Sequence, residues 1–272
     1  MGIHSLHTGL RHRSFLRTAV LAGLACVAGV VWAAESCKQL VATGNPEYPP
    51  YLWREAADGS RMLGANADLM QLVSKEIGIP IDVRYVGSWA RVQEEAKLGR
   101  IDLIAGAFFT VDRLDYMDYV YPAFRETRSV LWGRQEAPLK YQQWSDLKGL
   151  VGLTVINNSF GEGFDRYAKS SLKINTVPSL EQAFKILQLG RVDYLIYEED
   201  PALAYIAKLA ITGLAPVNPS VSNESLYLTL SHKSPCNSPE LRAALSKAMY
   251  KLARLNVMKK MVDANIQLWR TK

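Results

Sequence analysis

A short unit that joins a helix to an apolar strand through glycine occurs twice in the chain and constrains the fold more than any other feature. The first copy is LGRIDLIAGAFFTVDR (98–113), and the second is LGRVDYLIYEED (189–200). In each copy a helical segment ends at glycine, and a strand follows. The first strand is apolar at nearly every position, which predicts a central strand covered on both faces. Such strands belong to parallel sheets, so the unit predicts an α/β fold.

Flanking segments extend both copies into alternating strands and helices. Helices are predicted at 66–78, 88–99, 161–171, 179–190, 239–255 and 257–269, and strands at 38–44, 81–86, 101–109, 147–156, 174–177, 192–197 and 226–234. Ser88 and Ser179 precede matching helices as N-caps, and Gly99 and Gly190 end them. Because cap, helix, glycine and strand recur in one order, the chain is expected to form two similar lobes. A Pro/Asn/Ser-rich stretch at 215–225 separates the second copy from the last predicted strand.

The first 33 residues have the pattern of a secretory signal peptide. Three arginines precede an apolar run at 18–31, and cleavage is expected after Ala33. The run is shorter than the roughly 20 apolar residues that span a bilayer, so export to the periplasm is predicted rather than a membrane anchor. Removing this segment leaves 29 Lys and Arg against 26 Asp and Glu, a net charge of about +3.

Composition argues against several classes of function. The chain has no stripe of Lys and Arg with interleaved aromatic residues, so nucleic-acid binding is not expected. After residue 33 only His232 and two cysteines remain as soft ligands, so neither a metal site nor a cofactor is predicted. In an oxidising compartment the pair Cys37 and Cys236 favours a disulfide. Two free buried thiols are the alternative.

The ends of the two equivalent strands carry opposite charges. In open α/β sheets, ligands bind beyond the carboxyl ends of the strands. Arg113 ends the loop after the first strand, and three acids at 198–200 follow the second. A cation on one wall of a cleft and acids on the other can hold a zwitterion. The alternatives are a surface ion pair of Arg113 with Asp112 or Asp115, and a solvated run of acids.

Several stretches, in this order and spacing, resemble the bacterial extracellular solute-binding proteins of family 3, the periplasmic components of polar amino-acid ABC importers. They are LVATGNPEYPPYLW, LGANADLM, LGRIDLIAGAFFTVDR with MDYVYP, DLKGLVGLTVINNSFGE and LGRVDYLIYEED, and the resemblance covers roughly 38–269. It implies the type II periplasmic-binding-protein-like fold. In this α/β fold, two hinge strands join two lobes, each a mixed, mainly parallel sheet flanked by helices. Lobe 1 would comprise 34–126 and 227–272, and lobe 2 would comprise 127–226.

The resemblance also assigns roles to individual residues. Arg113 matches the arginine that grips the ligand carboxylate, for which its planar fork of donors is suited. Glu198 matches the acid that pairs with the ligand ammonium, and Glu199 is the second choice for this role. Tyr48 and Trp89 match the aromatic side chains that sandwich the ligand. For Trp89, burial in the core is an equally serious interpretation.

Further matches lie on two loops. Asn45 stands where members often have an Asp or Ser that contacts the ligand side chain. Asn158, Ser159 and Phe160 match a loop at a helix N-terminus, where free backbone N–H groups favour an anion. Simple helix capping by this loop is compatible with that role.

Two positions depart from the family pattern. Members usually have Gly-Met-Thr or Gly-Met-Ser before the arginine loop, and the hydroxyl helps to bind the ammonium. Here Gly106 keeps the glycine, but Phe108 replaces the hydroxyl-bearing residue. Glu198 is also longer than the Asp of the family. The resemblance therefore supports carboxylate recognition and leaves the manner of ammonium binding open.

The implied function is the capture of a small carboxylate-bearing solute, such as a polar amino acid or a derivative, for an ABC permease. The protein is expected to be a monomer. It is not expected to be an enzyme, because the sequence shows no nucleophile–base pair. Two alternatives use the same fold. One is a periplasmic sensor that feeds a membrane signalling partner, and the other is a cyclohexadienyl dehydratase-like enzyme with an acid near 198–200.

Overall fold

Strands and helices alternate along most of the chain, which the computed structural model describes from residue 37 to residue 271. The strands are β1 Leu40–Thr43, β2 Glu47–Tyr48, β3 Leu52–Arg54, β4 Met62–Leu63, β5 Ile81–Val83, β6 Leu103–Phe108, β7 Met117–Arg134, β8 Val151–Val155, β9 Lys173–Val177, β10 Tyr194–Glu198 and β11 Leu214–Ser231. The α-helices are α1 Ala65–Ile77, α2 Trp89–Lys97, α3 Glu162–Ser171, α4 Leu180–Gln188, α5 Glu199–Lys208, α6 Pro239–Arg254 and α7 Val257–Thr271. The predicted signal peptide lies outside the described residues. No helix between residues 37 and 271 is long and apolar enough to cross a membrane.

The repeated helix–glycine–strand unit folds as predicted. Ser88 caps α2 and Ser179 caps α4, each accepting a hydrogen bond from the backbone N–H three residues later, at 3.4 and 3.3 Å. Gly99 and Gly190 follow the two helices with φ of 73° and 67°. This left-handed conformation costs glycine little and other residues much more, so it ends both helices cleanly.

Eight strands form one sheet in the order β5-β1-β6-β11-β7-β10-β8-β9. Strands β5, β1 and β6 are parallel to one another, as are β10, β8 and β9. Between these two groups lie β7 and β11, two antiparallel strands of 18 residues each. The register of β11 against β7 shifts at two points, between Val217 and Ser222 and between Leu226 and Leu228. Because of these breaks, the two long strands can extend from one group of parallel strands to the other, as expected for hinge strands.

We call the half containing β5, β1 and β6 lobe 1, and the half containing β10, β8 and β9 lobe 2. Strand β6 is covered on both faces, as predicted, and β10 of lobe 2 is covered in the same way. In β6, Ile104 packs in a core cluster with α2, whereas Leu103 and Ala105 belong to the main core on the other face. In β10, Tyr194 and Leu195 divide between two clusters in the same way. The residue boundaries between the lobes stay a prediction.

The resemblance implies two hinge strands, but the local sequence pattern did not show their extent. The stretch 215–225, which separated two predicted elements, lies inside β11, and no strand was predicted over most of β7. Both segments carry prolines and polar residues that are uncommon in strands. Each pairs mainly with the other, so the partner strand, rather than local propensity, determines their conformation.

A disulfide joins Cys37 to Cys236, as predicted, and the alternative of two free thiols is wrong. The bridge connects the residues before β1 with the loop between β11 and α6. Both belong to lobe 1, so the bond ties the two chain segments of that lobe together and does not cross the hinge.

Candidate functional site

The two central strands end opposite each other at the hinge, and a cleft lies between their ends. Phe108, the last residue of β6, pairs with Leu226 of β11, and Glu198, the last residue of β10, pairs with Ser129 of β7. The cleft is lined by Asn45, Tyr48, Trp89, Gly106, Ala107, Phe108, Arg113, Asn158, Ser159, Glu198 and Leu226. Nine of these eleven residues are among those predicted from the sequence. The cleft is narrow, with a volume of about 20 Å³, which is room for about one water molecule.

Arg113 lies in a short 3₁₀ helix, Val111–Asp115, between β6 and β7. It is 5% exposed, its Nη1 donates to the carbonyl oxygen of Phe108 at 2.8 Å, and its Cζ lies 5.3 Å from the centre of the Trp89 ring. None of the ion pairs among residues 37–271 includes it, so the surface pair with Asp112 or Asp115 is not formed. A buried guanidinium without an ion pair is well suited to an incoming carboxylate.

Glu198 faces Arg113 from the other lobe and is 3% exposed. Burial raises the pKa of its carboxyl to about 7, while its own backbone N–H, the Asn158 side chain and the Arg113 charge act in the opposite direction. The Asn158 amide donates to Glu198 Oε2 at 3.5 Å. Glu198 is therefore not part of a solvated run. Glu199 lies outside the cleft, where it pairs with Arg128 of the hinge strand at 2.7 Å.

Asp165, which the sequence reasoning missed, holds the loop before α3. The Ser159 hydroxyl donates to Asp165 Oδ2, and the Phe160 backbone N–H donates to Asp165 Oδ1 at 2.9 Å. The Gly161 N–H donates to the Ser159 hydroxyl at 3.3 Å. The N–H of Phe160 is thus directed at Asp165, and its ring is buried against Phe164 rather than lining the cleft. The sequence signal that could have identified Asp165 is an acid in the first turn of the helix that follows the Ser-Phe-Gly loop.

The aromatic walls belong to the core and to the cleft at once. Tyr48 is 6% exposed, and its ring packs 5.2 Å from that of Tyr51. Trp89 belongs to the core cluster under α2 and also lines the cleft. Its indole N–H donates to the carbonyl oxygen of Asn157 in lobe 2 at 3.1 Å. Trp89 is therefore a core residue that also lines the cleft, and its contact with a ligand stays a prediction.

The structure at the floor of the cleft explains why position 106 is glycine and how Phe108 fits in place of the hydroxyl-bearing residue of the family. Gly106 has φ of 116°, and a Cβ there would lie 2.8 Å from the Asn66 amide nitrogen. A side chain at this position is therefore excluded. Phe108 is 5% exposed and packs in the main core, so it offers the cleft a backbone carbonyl in place of a hydroxyl. Arg113 and Tyr119 both donate to that carbonyl.

Acids outnumber the cation around the cleft. Burial raises the pKa values of Asp165, Glu198 and Glu224, and the Asp165 charge contributes to the last two. Arg113 is the cation that opposes the rise at Asp165 and Glu198. A ligand that brings only negative charge would add to this repulsion. The site is better matched by a solute that carries a cationic group beside its carboxylate.

Burial of the Glu198 carboxyl predicts a pH-dependent stability. Its pKa rises from 4.5 to about 7 on folding, so its contribution to stability is complete below pH 4.5 and is lost as the pH rises through 7. At 1.36 kcal/mol per pKa unit, the change is on the order of 3 kcal/mol. Gln at position 198 cannot ionise. In urea denaturation, the free energy of unfolding of Glu198→Gln relative to that of the wild type should therefore increase by about that amount between pH 4.5 and pH 8. A difference that does not change with pH would contradict the buried ionisation.

Among residues 37–271, no group of three or more His, Cys, Asp or Glu side chains is arranged to hold a metal ion.

Comparison with known proteins places this site in a family. The family model for bacterial extracellular solute-binding proteins, family 3, matches residues 40–266. The L-cystine-binding protein TcyA of Bacillus subtilis (strain 168) is 21% identical over 179 residues, which cover 65% of this chain and 64% of the relative. The match thus spans a little under two thirds of that relative.

Solved structures share the fold at low identity. The amino acid ABC transporter substrate-binding protein AbpA from Streptococcus pneumoniae Canada MDR_19A, bound to L-arginine, has a TM-score of 0.71 at 20% identity, covering 86% of this chain and 97% of that one. A histidine kinase sensor domain with similarity to periplasmic binding proteins has a TM-score of 0.69 at 21% identity, covering 84% and 95%. The predicted two-lobed type II fold is confirmed. The chain belongs to the bacterial extracellular solute-binding proteins, family 3.

Proposed function

We propose that this protein binds an amino acid or a close derivative in the cleft, in the periplasm, as the solute-binding component of an ABC importer. The observation that carries the proposal is the buried guanidinium of Arg113, which has no ion pair among the described residues and faces the buried carboxyl of Glu198. Arg113 would bind the solute carboxylate, and Glu198 would bind its ammonium. Relatives whose names specify L-arginine or L-cystine agree with an amino-acid solute.

The longer side chain of Glu198 can compensate for the hydroxyl that is missing at position 108. A carboxylate on a longer stem can reach further across the cleft than the Asp usual in the family. The Asn158 amide, 3.5 Å from Glu198 Oε2, would orient that carboxylate. We therefore assign ammonium binding to lobe 2, because the Phe108 side chain packs in the core of lobe 1 and has no hydroxyl to offer.

Binding would be coupled to closure because contacts from both lobes hold the solute. Several hydrogen bonds already join the lobes around the cleft, among them Trp89 to Asn157, Tyr51 to Asp200, Leu180 to Glu47 and Trp269 to Ala204. Since the cleft is narrow in this closed arrangement, the lobes must separate to admit a solute. A ligand shifts the hinge only as far as it prefers the closed state over the open one.

A thermal-shift screen of the chain from residue 34 onward, followed by calorimetry, tests the proposal. The panel would hold the common amino acids, cystine, simple mono- and dicarboxylates, and aliphatic amines. A true ligand at 100 times its Kd stabilises the protein by about 2.7 kcal/mol, a shift of roughly 5 °C or more for a protein of this size. Only compounds with both a carboxylate and an ammonium should give it. A response to simple carboxylates alone would contradict the proposal.

A sensor function is the second candidate, and the likeness to a histidine kinase sensor domain favours it. The same clamshell would then dock onto a signalling partner. Deleting the gene separates the two candidates, because loss of uptake of the identified ligand indicates an importer. Unchanged uptake with an altered transcriptional response indicates a sensor.

Incubation with prephenate or arogenate would expose a dehydratase through its aromatic product.

A further inference from the structure

A second cavity, of about 280 Å³, opens beside the cleft. Asn45 and Trp89 line both spaces, so these two side chains lie between the second cavity and the first. Both lobes form its walls, with Val155 and Tyr205 contributed by lobe 2. We call this space the distal cavity. It is much larger than the gap beside Arg113, and the proposed amino-acid head group does not account for it.

Five of the twelve residues that line the distal cavity are aromatic. Trp53, Tyr85, Trp89, Tyr205 and Trp269 line it, and Trp269 lies 5.4 Å from both the Trp53 and the Tyr205 rings. Such a wall suits an aliphatic segment or the flat face of a charged group. The chain of an extended solute that passes Trp89 would meet this wall.

Arg54 supplies a positive charge to this cavity. Its Cζ lies 4.3 Å over the Tyr85 ring, and its Nε donates to the Gly59 carbonyl at 2.8 Å. These contacts hold the guanidinium in place. None of the ion pairs among residues 37–271 includes Arg54, so its remaining N–H groups can accommodate a carboxylate.

Glu47 supplies a negative charge to the same cavity. Its Oε2 accepts the Leu180 backbone N–H at 3.0 Å, across the gap between the lobes. Among the described residues, no donor is bonded to its other carboxylate oxygen. Burial raises the pKa of this carboxyl, as expected for an acid that lacks a full set of partners. An ammonium group would supply the missing charge.

We propose that the distal cavity binds the second head group of an elongated, two-headed solute, with Arg54 on its carboxylate and Glu47 on its ammonium. The inference rests on the proposed function, which places the first head group between Arg113 and Glu198. Each head group would thus be bound by one arginine and one glutamate, and the two pairs lie on either side of Trp89. The ligand class is therefore an amino acid whose aliphatic chain ends in a second charged head.

Calorimetry with four probes that share the amino-acid head and carbons C3 to C6 tests this assignment. Norleucine has an apolar end, lysine a distal ammonium on C6, 2-aminopimelate a distal carboxylate at C7, and 2,6-diaminopimelate both groups at the same positions. We expect 2,6-diaminopimelate to bind at least 10-fold more tightly than norleucine. Arg54→Gln should reduce that ratio by removing the contribution of the carboxylate. Glu47→Gln should remove the contribution of the ammonium while keeping an oxygen for the Leu180 N–H.

Arg100→Gln is the matched control, because Arg100 is an exposed arginine of lobe 1 that pairs with Glu95 outside the cavity. It should leave the ratio of the two affinities unchanged. Equal affinity for norleucine and 2,6-diaminopimelate would overturn the distal site and leave the proposed function standing. An Arg54→Gln variant that weakens both probes by the same factor would also overturn it. If none of the four probes binds, while a solute without an amino-acid head does, both proposals fail.

Discussion

Replacing Arg113 with alanine should weaken amino-acid binding by about 100-fold. Removing one partner of a buried charge pair typically costs about 2–5 kcal/mol, because the other charge is left buried and unpaired, and each 1.4 kcal/mol is a factor of ten in Kd. The loss should be large here, since Arg113 is the cation that opposes the acids around the cleft. Calorimetry with the ligand found in the screen measures it.

The matched control is Arg91→Ala, which removes an exposed arginine paired with Glu95 at 2.6 Å. Surface ion pairs contribute about 0–1 kcal/mol, so this variant should bind nearly as well as the wild type. Arg113→Lys should recover part of the affinity, because it restores the charge without the planar fork. Unchanged affinity in a folded Arg113→Ala protein, judged by circular dichroism, would rule out its role as the carboxylate anchor.

Replacing Cys37 and Cys236 together with serine should produce the largest loss of stability of any change considered. The bridge closes a loop with a sequence separation of 199 residues. In the chain-entropy model, a loop of this length stabilises the folded state by about 5 kcal/mol. For a protein of this size, that corresponds to a fall in Tm of roughly 10 °C or more. Differential scanning calorimetry under non-reducing conditions measures it.

Ligand affinity should change little in the same double variant, because neither cysteine lines the cleft. Reducing the wild-type protein with dithiothreitol should lower its Tm by a similar amount and should leave the variant unaffected. A shift of less than 2 °C on both routes would show that the unfolded chain gains little freedom from losing the bridge.

Much of the cleft could be found from sequence because of where its residues stand in the repeated unit. A helix that ends at glycine and feeds an apolar strand is a local pattern, and the carboxyl end of such a strand is where ligands bind in this class of sheet. Arg113 and Glu198 both follow such strands. Asp165 carried only a weak local signal, as an acid in the first turn of a helix. Glu47 and Arg54 carried none, since their contacts with Leu180 and Tyr85 join residues far apart in the chain.

The sequence by itself determined the helices and strands of the two repeated units, with Ser88 and Ser179 as caps and Gly99 as a stop. Those signals act between residues a few positions apart, so they need no tertiary contacts. Only the tertiary structure decided that Glu198 faces the cleft while the next residue, Glu199, pairs with the hinge. The physical reason is that β10 ends between them, and its pairing with β7 determines which side chain turns inward.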